Sequence, residues 1–349
     1  MKLSRIAGAL TIVAIGLATL TACDPPYPPE LQVKISEQYP VCTAGEVPLG
    51  LASNVADALP TFQDVMSTNC PDMMVSAGDT NSPIQISREL SEITKDDTYA
   101  TVPYYLDGGA AVVNFSDGSE VTLSLKTLFA ILSGSITDWS DKAITKENRN
   151  VALASLPITV NPVSDGPSLQ SLENWAKIDG VTIPSTLLTK AGDTSTFDFY
   201  SSADGEITIV PISYASNQAF PMVSISVKNK YETGLVTPST DSLYAAGTQA
   251  VTKVSGGKLS ATIDPAKAPL PAPGNDKADL PYQAAFFGWM TLSGKSNALD
   301  RSVARYLLRQ DAQSALINVS ISSLPTSLRL AATNLVSVGL KLPKKAIIK

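Results

Sequence analysis

From residue 47 onward, short apolar runs alternate with amphipathic stretches, and their periods separate strands from helices. Residues 47–51 and 73–77 read as strands. Between them the spacing predicts a helix over 54–66, opened by Ser53 and Asn54, with Pro60 near its first turns. After the tight loop Gly78-Asp-Thr-Asn81 a second helix is expected, because Ser82 is a good N-cap, Pro83 fits the first helical position and Gln85 stands at the capping-box position. This βαβα order predicts an α/β fold. Strands over 101–105 and 110–115 then flank an expected turn at Asp107-Gly-Gly109. Ser124 can cap a short helix whose Leu125, Leu128, Phe129 and Leu132 share a face, and Gly134 suits the left-handed residue that ends it. Further along, the pattern predicts strands over 156–161, 206–211 and 282–292. Helices are expected over 168–177, 212–219, 297–316 and 326–338, and a proline-rich loop over 265–280.

The chemistry of the N-terminus adds a location. Lys2 and Arg5 precede an apolar run from Ile6 to Leu20, and Leu20-Thr-Ala-Cys23 follows, the layout of a lipoprotein export signal. The expectation is a cleaved segment 1–22, with Cys23 lipidated as the new N-terminus on the extracytoplasmic face of the cell membrane. Asp24-Pro-Pro-Tyr-Pro-Pro29 would act as an extended spacer within 23–43. Cys42 and Cys70 then form an even pair in an oxidising compartment, each just before an expected strand, so a disulfide is favoured. Two thiols and no histidine are too few for a metal site.

Charge and composition remove other classes. Taking Lys2 and Arg5 from the 26 basic residues leaves 24 against 32 acidic ones, a net charge near −8, which argues against nucleic acid as a partner. The absence of His removes Ser-His and Cys-His nucleophiles. Ser293-Gly-Lys-Ser296 lacks the first glycine of a phosphate-binding loop, and Ser255-Gly-Gly-Lys258 sits in a glycine turn without partner motifs. Asp96-Asp97 and Asp138/Asp141 read as solvated turns or caps. The chain is therefore read as a binding protein, not an enzyme, with no cofactor.

One stretch points to a family. Helix-Leu132-Ser-Gly-Ser-Ile-Thr-Asp-Trp-Ser-Asp141 resembles a signature of the solute-binding proteins of phosphate ABC importers. Pro103 to Asn114 is similar to the family's crossing between lobes, Tyr214 to its return strand and helix, and Val236-Thr-Pro-Ser-Thr-Asp-Ser-Leu-Tyr-Ala-Ala246 and Leu324-Pro325 to later family segments. The resemblance implies a two-lobed, type II periplasmic-binding-protein-like α/β fold with a mostly parallel sheet in each lobe. Lobe one would comprise 44–108 plus 216–340, lobe two 109–215, and 341–349 a basic tail. Hinges near Gly108-Gly109 and Ser213-Ser216 are implied too.

In open α/β sheets, ligands sit at helix N-termini beyond strand ends. Three such corners are expected: Ser53 and Asn54; Thr80, Asn81 and Ser82; and Asp165, Gly166 and Ser168. The third departs from the family's Arg-x-Asp-Gly-Ser-Gly-Thr, since Val163-Ser-Asp-Gly-Pro-Ser-Leu169 puts Val163 where the arginine belongs. No cation is expected within the corners. An acidic run of the family is also missing where Glu89-Leu-Ser-Glu-Ile-Thr-Lys-Asp-Asp-Thr98 leads straight to the next strand. The reading is a lipid-anchored receptor for a small ligand, phosphate or another oxyanion, serving an ABC permease, with phosphate capture weakened. The alternative is a surface protein that keeps the fold and binds a protein or envelope partner.

Overall fold

The computed structural model describes residues 40–90, 98–195 and 197–342. The export segment, Cys23, the proline spacer, Asp96-Asp97 and the end of the basic tail lie outside the described residues.

Strand β1 (Gly45–Leu51) leads into a short helix α1 (Ser53–Ala56) and then α2 (Leu59–Asn69). The single helix expected over 54–66 is broken, because Pro60 has no N–H to donate and is accommodated only in the first turn of a new helix. Strand β2 (Met73–Ala77) runs parallel to β1, and the Cys42–Cys70 disulfide joins the approaches to this pair. The helix expected after Ser82 is instead strand β3 (Ile84–Ser87). Ile84 and Ile86 alternate with half-buried Gln85, a period of two that outweighs the local capping signals once β1 offers a partner.

Strand β4 (Thr98–Asn114) is the spine. The turn expected at Asp107-Gly-Gly109 is absent, and the chain runs straight through these residues. The glycines serve close approach instead. A Cβ on Gly109 would lie 2.1 Å from the Ser168 carbonyl oxygen, and one on Gly108 2.8 Å from Ile212.

After β4 come β5 (Thr122–Ser124), α3 (Leu125–Leu132), α4 (Lys142–Glu147), β6 (Thr159–Val160), β7 (Val163–Asp165) and α5 (Gly166–Ile178). Ser124 caps α3 by accepting from Thr127 N, and Gly134 has φ +74°, both as expected. Strand β7 passes directly into α5, with Asp165 as its N-cap.

Next are β8 (Lys190–Gly192), β9 (Glu206–Pro211), α6 (Ile212–Asn217), β10 (Ser224–Lys228), β11 (Thr233–Val236), α7 (Thr240–Thr248), β12 (Ala250–Ser255) and β13 (Lys258–Ile263). The chain ends with β14 (Ala285–Ser293), α8 (Ala298–Leu307), α9 (Gln310–Ser314), a 3-10 turn (Ala315–Val319), β15 (Ser322–Ser323) and α10 (Thr326–Val336). The long helix expected over 297–316 is thus divided near Leu308 and Arg309.

The first half of β4 pairs antiparallel with β14, from Ser293↔Thr98 to Ala285↔Gly108, in a sheet ordered β12-β13-β4-β14-β3-β1-β2. Its second half pairs antiparallel with β9, from Gly109↔Pro211 to Asn114↔Glu206. One strand therefore serves two cores. Leu49, Phe62, Ile84, Val102, Met290, Leu307 and Leu328 belong to the first. Ala111, Leu123, Leu128, Trp139, Trp175, Ile207 and Ile225 belong to the second, which also takes Leu243, Tyr282 and Ala284 from late in the chain. Among the described residues, no helix is long and apolar enough to cross a membrane.

Candidate functional site

Where β4 passes from one core to the other, Asp107 is fully buried. Such a carboxylate is costly unless donors surround it. Here Ser213 donates through both its hydroxyl, at 2.5 Å, and its backbone N–H, at 3.1 Å, and Gly108 N–H donates at 2.8 Å. Burial pushes the Asp107 carboxyl up, against the pull of these donors and of the Arg88 charge. Asp107 therefore ties β4 to the start of α6, the two segments at which the chain crosses between cores.

Beside this crossing lies a cavity of about 570 Å³, lined from both halves. One wall comes from Ser53, Asn54 and Asp57 with Asn318 and Val319, the other from Asp165, Asp193, Thr194, Ser195, Ser213 and Tyr214, and Arg88 reaches in at the end of β3. Asn54 is held by a 3.0 Å hydrogen bond from its Nδ2 to the Tyr105 hydroxyl on β4.

The ion pair of Arg88 with Asp165 spans the two halves at 2.7 Å. Burial alone would lower the guanidinium, but the hydrogen bond and charge of Asp165, with Asp107 behind it, hold it above its ordinary value. The same Oδ2 of Asp165 accepts from Ser168 N at 3.0 Å and from the Ser168 hydroxyl at 2.5 Å. Arg88 also lies 5.9 Å from the centre of the Phe286 ring. The cavity thus holds one cation among Asp57, Asp165 and Asp193, and donation from Ser195 N–H keeps exposed Asp193 below the usual carboxylate range.

Of the three expected corners, the structure brings two to this cleft. Ser53, Asn54 and Asp165 line it. Gly166 forms the first turn of α5 behind Asp165, and Ser168, fully buried, spends its hydroxyl on the cap. Thr80, Asn81 and Ser82 are outside the cavity lining. They form the turn from β2 to β3, where Asn81 N donates to Asp79 Oδ1 and the Ser82 hydroxyl accepts from Asp79 N. With a strand instead of a helix after them, they have no helix N-terminus to offer.

The expectation that no cation stands at the corners is corrected. Val163 is indeed no substitute for arginine, but Arg88 arrives from a different strand and reaches the third corner. Its signal was available: read as a strand, Ile84-x-Ile86 places Arg88 just past a strand's carboxyl end, where ligands of α/β sheets sit. The loop 193–195 carried no comparable pattern.

With this geometry, the class of the protein is defined by its fold: a mixed α/β, type II periplasmic-binding-protein architecture with a cleft beside the strand shared by both halves. Residues 74–274 match the PBP superfamily domain, and the chain belongs to that family. Among solved structures, it is similar to an ancestral soluble variant of the human phosphate binding protein, at 15% identity over 82% of this chain and 93% of the other, with a TM-score of 0.50. It is also similar to a phosphate ABC transporter substrate-binding protein with bound phosphate from Clostridium perfringens, at 14% identity over 80% and 100% of the two chains, TM-score 0.48. An ABC-type phosphate transport receptor from Vibrio cholerae matches at 13% identity over 80% and 100%, TM-score 0.43. Comparison with curated protein sequences gave no match.

Proposed function

We propose that this protein is a lipid-anchored extracytoplasmic receptor that takes up a small polar solute in the cleft beside β4 and presents it to an ABC permease. The observation that carries the reading is the Arg88–Asp165 pair, a cation and a helix cap from opposite halves meeting in a cavity lined with hydroxyl and amide groups. Ligand groups that exchange with this pair would favour closure of the two halves, with bending confined to the crossings at Gly108-Gly109 and at the start of α6. Cys23 would hold the receptor at the membrane. Cell fractionation of a Cys23→Ser variant is expected to move it from membrane to soluble fractions, and retention on the membrane would sink the anchor.

Phosphate is a poor fit for this cleft. Arg88 is already matched by Asp165, and two further carboxylates flank the cavity. A dianion would therefore meet uncompensated repulsion. Calorimetric titration is expected to give a phosphate Kd of about 1 mM or weaker, roughly −4 kcal/mol or less favourable. A micromolar Kd would overturn this part of the reading. The same self-satisfied pair favours, as a second reading, a surface protein that has kept the fold to bind a protein or envelope component. Failure of every small solute to stabilise the protein would leave that reading in place.

A further inference from the structure

A second cavity, of about 550 Å³, lies on the far side of Arg88, between α5 and the strands β13 and β14. Its surfaces differ from those of the cleft. Phe286, Phe287 and Trp289 of β14 line one side, and Gln170 and Asn174 of α5, whose amides meet at 3.3 Å, line the other. At its edge Arg88 is already offset by Asp165, Glu89 stands beside it, and the Lys258 ammonium lies over the Trp289 ring at 5.9 Å.

Gln283 completes the lining and is only 5% exposed. Its orientation is fixed by a chain of hydrogen bonds. The Lys267 carbonyl can only accept, so the 2.6 Å contact assigns Nε2 of Gln249. The Oε1 of Gln249 must then accept from Gln283 Nε2, at 2.7 Å. That leaves Gln283 Oε1 buried and without a donor among the described residues. Such an orphaned acceptor carries a standing cost that a ligand hydroxyl or N–H would remove.

We infer that this cavity is a binding site for a neutral sugar ring. A pyranose presents an apolar face of C–H groups and an edge of hydroxyls that both donate and accept. Aromatic walls match the face, and amides match the edge because each amide offers a donor and an acceptor together. The hydroxyl nearest the floor donates to Gln283 Oε1. Gln170 and Asn174 bind the exposed edge. The inference does not depend on what the cleft beside Asp107 binds.

The test is saturation-transfer NMR, followed by titration, on the full chain with methyl glycosides of glucose, galactose and mannose and with N-acetylglucosamine as probes. Saturable binding of at least one probe is expected, unaffected by phosphate. Asn174→Ala together with Gln170→Ala should weaken it about tenfold, as loss of roughly two hydrogen bonds implies. Gln283→Met, which keeps the side-chain length without the acceptor, should weaken it as well. Melting temperatures close to that of the unaltered protein would establish that these variants fold. No saturable binding of any probe, or binding that the α5 double variant leaves unchanged, would overturn the proposal.

Discussion

Arg88 and Asp107 illustrate how single charges organise this molecule. Each meets a partner far away in sequence, Asp165 for Arg88 and Ser213 for Asp107. Asp107 is the more demanding, since burial opposes its charge and Ser213 supplies two of its three donors. Replacing Ser213 by Ala removes the hydroxyl and keeps the backbone N–H. The expected loss is about 1–3 kcal/mol of unfolding free energy at neutral pH. The folded-state pKa of Asp107 is already raised, and loss of a donor raises it further, so the deficit should shrink as pH falls and the carboxyl takes up a proton. Urea titrations at pH 7 and pH 4 check this, and a deficit equal at both values would mean that the carboxylate is not what the hydroxyl serves.

At the scale of elements, the hairpin formed by β10 and β11 is fastened to the C-terminal end of α5 by an acidic contact. Asn229 Nδ2 donates to Asp179 Oδ1 at 2.5 Å, and its Oδ1 accepts from Glu232 N at 2.9 Å. Burial first, and then the nearby Asp179, push the Glu232 carboxyl up to about 7. A raised carboxyl means that the folded state holds the proton more tightly than the unfolded one. The associated stability is full below the unfolded value of 4.5 and is lost as pH rises toward 7. Because Glu232 is only half-buried and solvent screens part of its field, the change should be about 1–2 kcal/mol. Glu232→Gln should flatten the pH dependence of thermal unfolding between pH 4.5 and 7, and an unchanged slope would exclude Glu232 as its source. This hairpin and the one formed by β12 and β13 were not legible in the sequence. Their strands are short, and β12 is exposed along nearly its whole length, so no buried face wrote a period of two. By contrast α3, with its Ser124 cap and its run of buried leucines, was legible in full. Strand β3 was misread because Ser82, Pro83 and Gln85 carry local helix signals that sheet pairing with β1 and β14 overrides. The Asp107-Gly-Gly109 segment was misread because its glycines answer to the approach of α5 and α6, which no linear pattern records.

For the whole molecule, β4 explains how two cores are joined through one strand. Its first half is locked to β14 and its second to β9, so relative motion of the halves has to bend this strand and the segment around Ser213. The Arg88–Asp165 pair bridges the gap beside that pivot and separates two cavities of different chemistry, one charged and hydroxylated, the other aromatic and amide-lined. The fold class and the cleft corners at Ser53, Asn54 and Asp165 were within reach of the sequence. The cation was in reach only with 84–87 read as a strand, and its pairing with Asp165, 77 residues away, was not. Thermal unfolding against a panel of small polar solutes, run in parallel on the unaltered protein and on an Asn54→Ala, Arg88→Ala double variant, tests the central claim most directly. The account predicts that a cleft solute at about a hundred times its Kd stabilises the unaltered protein by roughly 3 kcal/mol, a rise of several degrees, and leaves the double variant unmoved. An equal rise in both proteins, or no rise with any solute, would contradict it.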